Sequence, residues 1–458
     1  MVNDHQKIKN KFSIWWIRKD LRLNCNFTLE KALQNSEKII PIFICDNKLN
    51  TDININSKSY AFFYYGLKEL EKSIEKYSGK LIITNSDIHS ITKYIQTKFE
   101  IKSLYVQNDI EDNFINDIKQ LKNHINVELV NNNLVDAQTL LNNSNKPFKV
   151  FSRFAKKFKE NYKSCDFAEN MVFKFAKTEI QNDNLPIPKN TFGEFTPGEN
   201  EANKRFQNFK KNKIFTYHLD RDYLYKDSTS KLSPYLKYGM ISVRKIYSEC
   251  IKLMNQFKGV EKWIDEILWR EFYIYISIHF PDSIKYEFQE KYRKFPWKKN
   301  SNYLTKWQEG ETGYPIIDAC MKQLKETGWM HNRGRMIVAS FLTKDLFIDW
   351  REGENWFMKQ LIDGDTASNI GGWQWTAGVG VDAAPYFRIF NPVLQSKKYD
   401  PKAKFITKWL PKLKNIPVKY IHEPWLSENK IYIDKLIDHQ ISKNKTLQNF
   451  KSFNNHNE

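Results

Sequence analysis

Cysteine is scarce: Cys25, Cys45, Cys165, Cys250 and Cys320 are the five in 458 residues, and no two form a C-x-x-C pair. That spacing excludes the common zinc-cluster patterns and a disulfide framework, and it suits a reducing compartment. No apolar run approaches the roughly 18–20 residues that span a bilayer. Met1 to Lys11 is polar and charged, unlike a secretory signal, so a soluble, cytoplasmic protein without membrane contact is expected. G-x-G-x-x-G after the first apolar run and G-x-x-x-x-G-K-[ST] are missing, and with them the usual marks of dinucleotide and nucleoside-triphosphate binding. No histidine stands in a Ser/His/Asp or Cys/His setting, so hydrolytic nucleophile chemistry has no support.

Basic and aromatic residues are abundant. Lys and Arg number 72 against 53 Asp and Glu, a net charge of +19, and 15% of the chain is aromatic. Lys, Asn and Ile are all common, so part of this charge is compositional. The excess still favours a polyanionic partner, because each cation that meets a phosphate releases counterions. With 41% hydrophobic residues the chain can bury a sizeable core, and its length suits two or three domains.

The first third alternates short apolar runs (13–18, 38–45, 80–84, 103–106 and 127–130) with segments of helical spacing (28–36, 60–77, 88–98 and 111–124). Such alternation implies crossover connections, hence a doubly wound five-stranded parallel sheet over residues 1–135. Residues 136–205 read as a long linker rich in Asn, Lys, Pro and Gly. Within it, 146–177 holds nine Lys/Arg and three acids interleaved with Phe148, Phe151, Phe154 and Phe158; an amphipathic helix with a solvated basic face is the plainer reading, a nucleic-acid arm the sharper one. Residues 206–458 show helical periods alone, as in 263–279, 314–326, 332–347 and 356–362, and are expected to form an all-helical domain.

Nine of the 13 tryptophans fall between Trp263 and Trp375. Core packing explains some, but stacked indoles also hold flat π-systems and relay single electrons. In the helix around Trp263, residues Glu266, Trp269, Arg270 and Tyr273 occupy i, i+3, i+4 and i+7, placing an acid, an indole, a guanidinium and a phenol on one face. Asn332, Arg335 and Met336 share another face, where arginine can grip phosphate or carboxylate. The run Asp363-Gly364-Asp365-Thr366-Ala367-Ser368-Asn369-Ile370-Gly371-Gly372-Trp373-Gln374-Trp375 joins two carboxylates, an amide, a Gly pair and two indoles. It lacks the further acids of an EF-hand loop, so no metal is expected. Gly378 to Ala383 fits a loose dinucleotide pattern, but no strand precedes it. Thr229 to Pro234 offers hydroxyls that serve as a helix cap or hold a phosphate.

Together, Arg18-Lys19-Asp20-Leu21-Arg22, Thr229–Pro234, Trp269-Arg270-Glu271-Phe272, Thr327–Arg333, Asp349–Gly353, Asp363–Trp375 and Asp382–Pro392 closely resemble the photolyase/cryptochrome family, most of all class I cyclobutane pyrimidine dimer photolyases. The resemblance spans nearly the whole chain. It implies an antenna-chromophore domain followed by a helical domain that binds FAD, whose fully reduced form, excited by light, donates an electron to a flipped-out pyrimidine dimer in damaged DNA. By motif position it implies that Tyr217, Thr229, Ser230, Lys231, Leu232, Ser233, Trp263, Glu266, Arg270, Asn332, Arg335, Asp363, Gly364, Asp365 and Asn369 hold FAD, with Arg335 paired to Asp363. Glu266 and Asn369 take catalytic roles, at the dimer and beside the flavin N5. Arg221, Trp269, Arg270, Asn332, Arg333, Met336 and Trp375 meet the DNA lesion, and Trp373, Trp350 and Trp297 relay electrons. The Asn108 to Glu111 region departs from the folate-binding pattern, which leaves the second chromophore open between a reduced folate, a deazaflavin, another group or none. A monomer is expected. The alternative is a cryptochrome-type blue-light receptor without repair activity; such proteins usually carry an acid at the position of Asn369 and a long tail.

Overall fold

The computed structural model describes residues 10–45, 56–109, 111–163, 167 and 171–455; Cys165 lies outside them. Strands β1 (Asn10–Ile17), β2 (Ser36–Ile44), β3 (Ile82–Thr84), β4 (Ile101–Gln107) and β5 (Asn126–Val130) form one all-parallel sheet in the order β3-β2-β1-β4-β5. Helices α1 (Phe27–Asn35), α2 (Lys58–Glu75), α3 (Ile88–Lys98) and α4 (Asp112–Leu121) make the crossovers. The alternation read from the sequence is therefore the doubly wound fold. Period-2 side chains split β1 between two cores: Trp15 and Ile17 join the core shared with the helical part, while Ile14 and Trp16 face a second layer with Ile42, Ile91 and Phe114.

In the linker α5 (Phe151–Asn161) is helical, shorter than the basic segment around it, and the last residues, from Glu199, already belong to the next helix. Further on, Lys174 and Ala176 bond both sides of Ile39, extending β2 where β3 does not reach. The rest is helical: α6 (Glu199–Asn212), α7 (Tyr217–Asp220), α8 (Ser233–Lys237), α9 (Val243–Ile251), α10 (Lys258–His279), α11 (Ser301–Glu309), α12 (Pro315–Thr327), α13 (Asn332–Ser340), α14 (Trp350–Gln360), α15 (Thr366–Ala377), α16 (Pro392–Tyr399), α17 (Lys404–Trp409), α18 (Val418–Ile421) and α19 (His439–Asn455). None of the described helices is long and apolar enough to cross a membrane.

The expected helix over 332–347 ends at Ser340 and widens into a π-turn over Phe341–Asp345. The turn delivers two buried polar groups. Lys344 Nζ donates to the Ala377 carbonyl at 2.7 Å and lies over the Phe450 ring, and Asp345 Oδ1 meets His439 Nδ1 at 2.5 Å. Thr446 Oγ1 donates to the Lys344 carbonyl, so α19 is clamped onto this turn.

Arg18 to Arg22 forms the seam between the sheet and the helical part. Asp20, fully buried, accepts from Trp15 Nε1 and the Arg18 amide at 3.0 Å each, and Arg22 Nη1 reaches the Gly239 carbonyl at 2.8 Å. Gly239, with φ +63°, is required here, since a Cβ would lie 2.0 Å from the Lys19 carbonyl oxygen.

Candidate functional site

Helix α15 packs on both α10 and α13, and these three carry about half of the predicted site residues. α10 buries Trp263, Ile264, Ile267, Leu268, Glu271, Phe272 and Tyr275 at three- and four-residue spacing, which leaves Glu266, Trp269, Arg270 and Tyr273 half-buried on another side. Glu266 pairs with Arg221, not with Arg270. Arg270 instead donates to the buried Glu271 at 2.5 Å, and the other Glu271 oxygen holds the Val135 amide at 3.1 Å. The four-residue face is thus divided: Arg270 turns to the buried carboxylate next in sequence and Glu266 to Arg221.

Arg221 lies over the Tyr217 ring and 3.8 Å from Asp222, which takes Arg333 Nη2 at 2.9 Å. Glu266, Arg221, Asp222 and Arg333 therefore form a chain of alternating charges from α10 to α13. Burial pushes the Tyr217 hydroxyl upward, so it stays protonated.

His331 caps α13: its Nδ1 accepts the Arg333 amide at 3.1 Å, and its Nε2 finds no partner among the described residues. Burial pushes its pKa down to about 4, which keeps the ring neutral and able to accept. Asn332 turns its amide to Met336 Sδ at 3.8 Å. Arg335 Nη2 contacts both oxygens of the buried Asp363, at 3.0 and 2.7 Å, while its Nε holds the Met330 carbonyl.

After Gly364, Asp365 is the N-cap of α15 and accepts the Ser368 amide at 2.9 Å. Asn369 donates to Glu354 at both Oε1 (2.8 Å) and the carbonyl (3.1 Å). Glu354 carried no sequence signal, because its partner lies 15 residues away on another helix. Gly371 admits the Tyr273 ring, which a Cβ would strike at 2.2 Å, whereas nothing among the described residues lies within 4 Å of a Cβ on Gly372. An open flank thus runs along α15 beside Asn369. Gly378 is the left-handed C-cap of this helix, and Gly378 to Ala383 continues as loop, as expected for a false dinucleotide match.

Thr229, Ser230 and Lys231 line a cleft of about 250 Å³ in which Lys204, Arg205 and Lys213 face Glu194, Glu201 and Asp227, and Phe209 at its wall touches both Tyr217 and Trp263. Leu232 is buried and Ser233 exposed at the start of α8; neither lines this cleft.

Trp373 packs edge-on to Phe357 and Trp307 and against Gly353, where a Cβ would lie 2.1 Å from its ring. Gly353 is i+3 from Trp350, so both indoles lie along one side of α14. Trp350 donates to the buried Glu287 at 3.2 Å. Trp297 follows Phe295 into an aromatic cluster with Phe347 and Phe450, and the Lys298 amide bonds the Phe347 carbonyl. Trp375 is half-buried, and Phe151, which the sequence placed on a basic helix, stacks on Trp269.

The model for the FAD binding domain of DNA photolyase matches residues 263–452, and that for DNA photolyase matches 13–172. The chain belongs to the DNA photolyase family. Deoxyribodipyrimidine photo-lyases of Buchnera aphidicola (from Acyrthosiphon pisum) and Escherichia coli are 37% and 33% identical to it, over 95% of this chain and 96% and 98% of theirs. A bacterial class III photolyase from Agrobacterium tumefaciens superposes with a TM-score of 0.89 at 29% identity, covering 99% of this chain and all of that one. A cryptochrome from Synechocystis gives 0.86 at 27%, over 96% and 99%. An archaeal photolyase from Sulfolobus tokodaii, solved with two FAD molecules, gives 0.83 at 30%, over 96% and 100%.

The family's FAD fits what the chain offers. Lys204, Arg205, Lys213 and Lys231 ion-pair there with Glu201, Asp227 and Glu194, so a diphosphate would draw these cations from their carboxylates, beside two hydroxyl side chains and the Phe209 wall that touches Tyr217 and Trp263.

Proposed function

We propose that this member of the family is a light-dependent deoxyribodipyrimidine photo-lyase, of the class I kind its motifs resemble, acting as a monomer on UV-damaged DNA in the cytoplasm. Its working division is an antenna domain over residues 1–135, a connector over 136–205 and an FAD-binding domain over 206–458. The observation that carries the reading is the charge chain from Glu266 through Arg221 and Asp222 to Arg333, which runs beside Trp269.

Bound FAD, fully reduced and excited by light, supplies one electron to the pyrimidine dimer and regains it after the ring splits. The protein's part is to bind, orient and exclude water. Thr229, Ser230 and Lys231 hold the phosphate end, while Leu232 and Ser233 lie outside that cleft. Tyr217, Trp263, Asn332, Arg335, Asp363, Gly364, Asp365 and Asn369 enclose the remainder, and the Arg335–Asp363 pair fixes the start of α15. Asn369, which donates to Glu354 at two atoms, would offer its amide to the flavin. Arg221, Arg270 and Arg333 neutralise lesion phosphates. Trp269, Trp375 and Met336 receive the flipped bases. Glu266 hydrogen-bonds the dimer and steadies the charge that develops on it. Trp373, Trp350 and Trp297 conduct electrons from the surface. A second chromophore belongs in the sheet domain; there Arg18 and Lys19 ion-pair with Asp109 and Glu111 at the point where strand order reverses.

The test is to illuminate chemically reduced protein with dimer-containing DNA under blue or near-UV light and follow thymine absorbance against a dark control. Light-dependent recovery is expected. Flavin-loaded protein without recovery would turn the assignment to a cryptochrome-type receptor.

A further inference from the structure

Phe151 opens α5, in the stretch between the two domains, yet its ring lies flat on Trp269, with centroids 3.9 Å apart and planes within 8°. The contact is anchored from several sides. The Phe151 amide donates to Asp382 Oδ2 at 3.0 Å, capping α5 where Val150 offers no side-chain acceptor. Asp382 adopts φ +44° to do so, a left-handed conformation that is costly for a residue with a side chain. Phe272 meets Phe151 edge-on at 5.9 Å, and Phe154, fully buried, packs on Phe272 and Tyr275. Upstream, the Tyr275 hydroxyl accepts the Phe148 amide and donates to the Leu140 carbonyl. The connecting segment is stitched along α10, and the stitching ends on the indole.

We propose that Phe151 is a positioning residue for the lesion: it covers one face of Trp269 and so presents the opposite face as a fixed flat surface for a flipped base. This rests on the assignment of Trp269 to the flipped bases. An indole turns about two side-chain bonds, and one held before binding pays less ordering cost when a base stacks on it. Phe151 has no polar atom beyond its backbone, so it acts through Trp269. Its contribution is to the affinity for dimers, leaving the photochemical efficiency of bound dimer unchanged.

The experiment titrates reduced, flavin-loaded protein in the dark with a duplex carrying one thymine dimer and with the same duplex undamaged. Phe151→Leu is expected to weaken dimer binding about three- to tenfold, the worth of one aromatic pair. Undamaged-DNA affinity, flavin content and quantum yield at saturating dimer stay at the parent level, and Phe151→Tyr restores dimer affinity. A merely structural role would not be rescued selectively in this way. Parent-level dimer affinity in Phe151→Leu overturns the proposal, and so does tighter binding, which would place the ring in the base's own slot. If Phe151→Leu loses flavin, Asp382→Gly decides: it removes the anchor while tolerating the left-handed backbone, and parent-level dimer affinity there overturns the proposal. A parent protein that does not prefer dimer DNA would remove the reading of Trp269 itself, and the same titration shows this before any variant is compared.

Discussion

The outer layer of the sheet buries hydrocarbon where the helical domain, like the Asp20–Arg22 seam, buries charge. Behind β1 the outer layer is Ile14, Ile40, Ile42, Ile82, Ile91, Leu104 and Phe114, and its only buried polar companions on the strands are hydroxyls such as Ser13 bonded to Ser36. In the helical domain Glu271, Glu287, Asp318, His331, Lys344, Asp345 and Asp363 are all buried. Each has a partner, most of them on another element: Glu271 with Arg270 and Val135, Glu287 with Trp350 and Arg351, Asp318 with Thr312 and Tyr432, Lys344 with Ala377. A charge is expensive to desolvate, so these groups hold their positions only while every partner is in place. The sheet is a rigid mount; the helical domain is the part in which altering one group resets its neighbours.

The largest change expected is on the helical side, at a buried indole. Trp373→Phe should bring photoreduction of oxidised flavin close to baseline while chemically reduced protein still repairs DNA, measured by flavin absorbance under light; ordinary photoreduction in that variant would remove Trp373 from the relay. On the sheet side, Ile14→Ala should cost about 4 kcal/mol of stability through the cavity it leaves in a fully buried strand. Denaturant unfolding should show this with the flavin spectrum unaltered. Asp363→Asn should cost about 3 kcal/mol, because Arg335 is left half-buried without its counter-charge. Here, unlike Ile14→Ala, flavin retention on gel filtration should fall with stability, and retention at the parent level would break the contrast.

His331 gives a pH dependence. Its ordinary pKa near 6.5 falls to about 4 on folding, so as pH drops the unfolded chain takes up this proton first. The stability it contributes is full above about pH 6.5 and is lost as pH falls toward 4, by roughly 2–3 kcal/mol. His331→Asn keeps a cap without a titrating ring, so the gap between parent and variant unfolding free energies should narrow through that window; a constant gap would reject the assignment. Smallest is Glu266→Ala, expected to leave flavin bound and lower repair quantum yield about fivefold, the worth of one lost hydrogen bond. An unchanged yield would remove Glu266 from the chemistry.

The strands could be read from sequence because each is a short apolar run whose period and flanking turns are local. Ile88–Lys98 matches its expected bounds for the same reason: Asp87 caps it and Ile91 and Ile95 repeat on one face. The π-turn could not be read, since nothing near Lys344 says that its amine will meet Ala377, 33 residues away. Nor could the orientation of Arg270, whose spacing suits Glu266 as well as it suits the pocket. Spacing alone could not pair Arg335 with Asp363; the family resemblance supplied that pairing, and the 2.7 Å contact agrees with it. Phe151 was visible only as one phenylalanine of an amphipathic stretch, because a stack on Trp269, 118 residues onward, leaves no periodic trace.

The clamp between α19 and the π-turn sets an order of events during synthesis. Chains emerge at about 5–20 residues per second and fold from the N-terminal side. The sheet can close once β5 and its crossovers have appeared. Lys344 must wait for Phe450, and Asp345 for His439, before either has its full set of neighbours. For some seconds a nascent helical domain therefore holds two ionisable groups without the helix that shields them, and that interval is when a chaperone has most to protect.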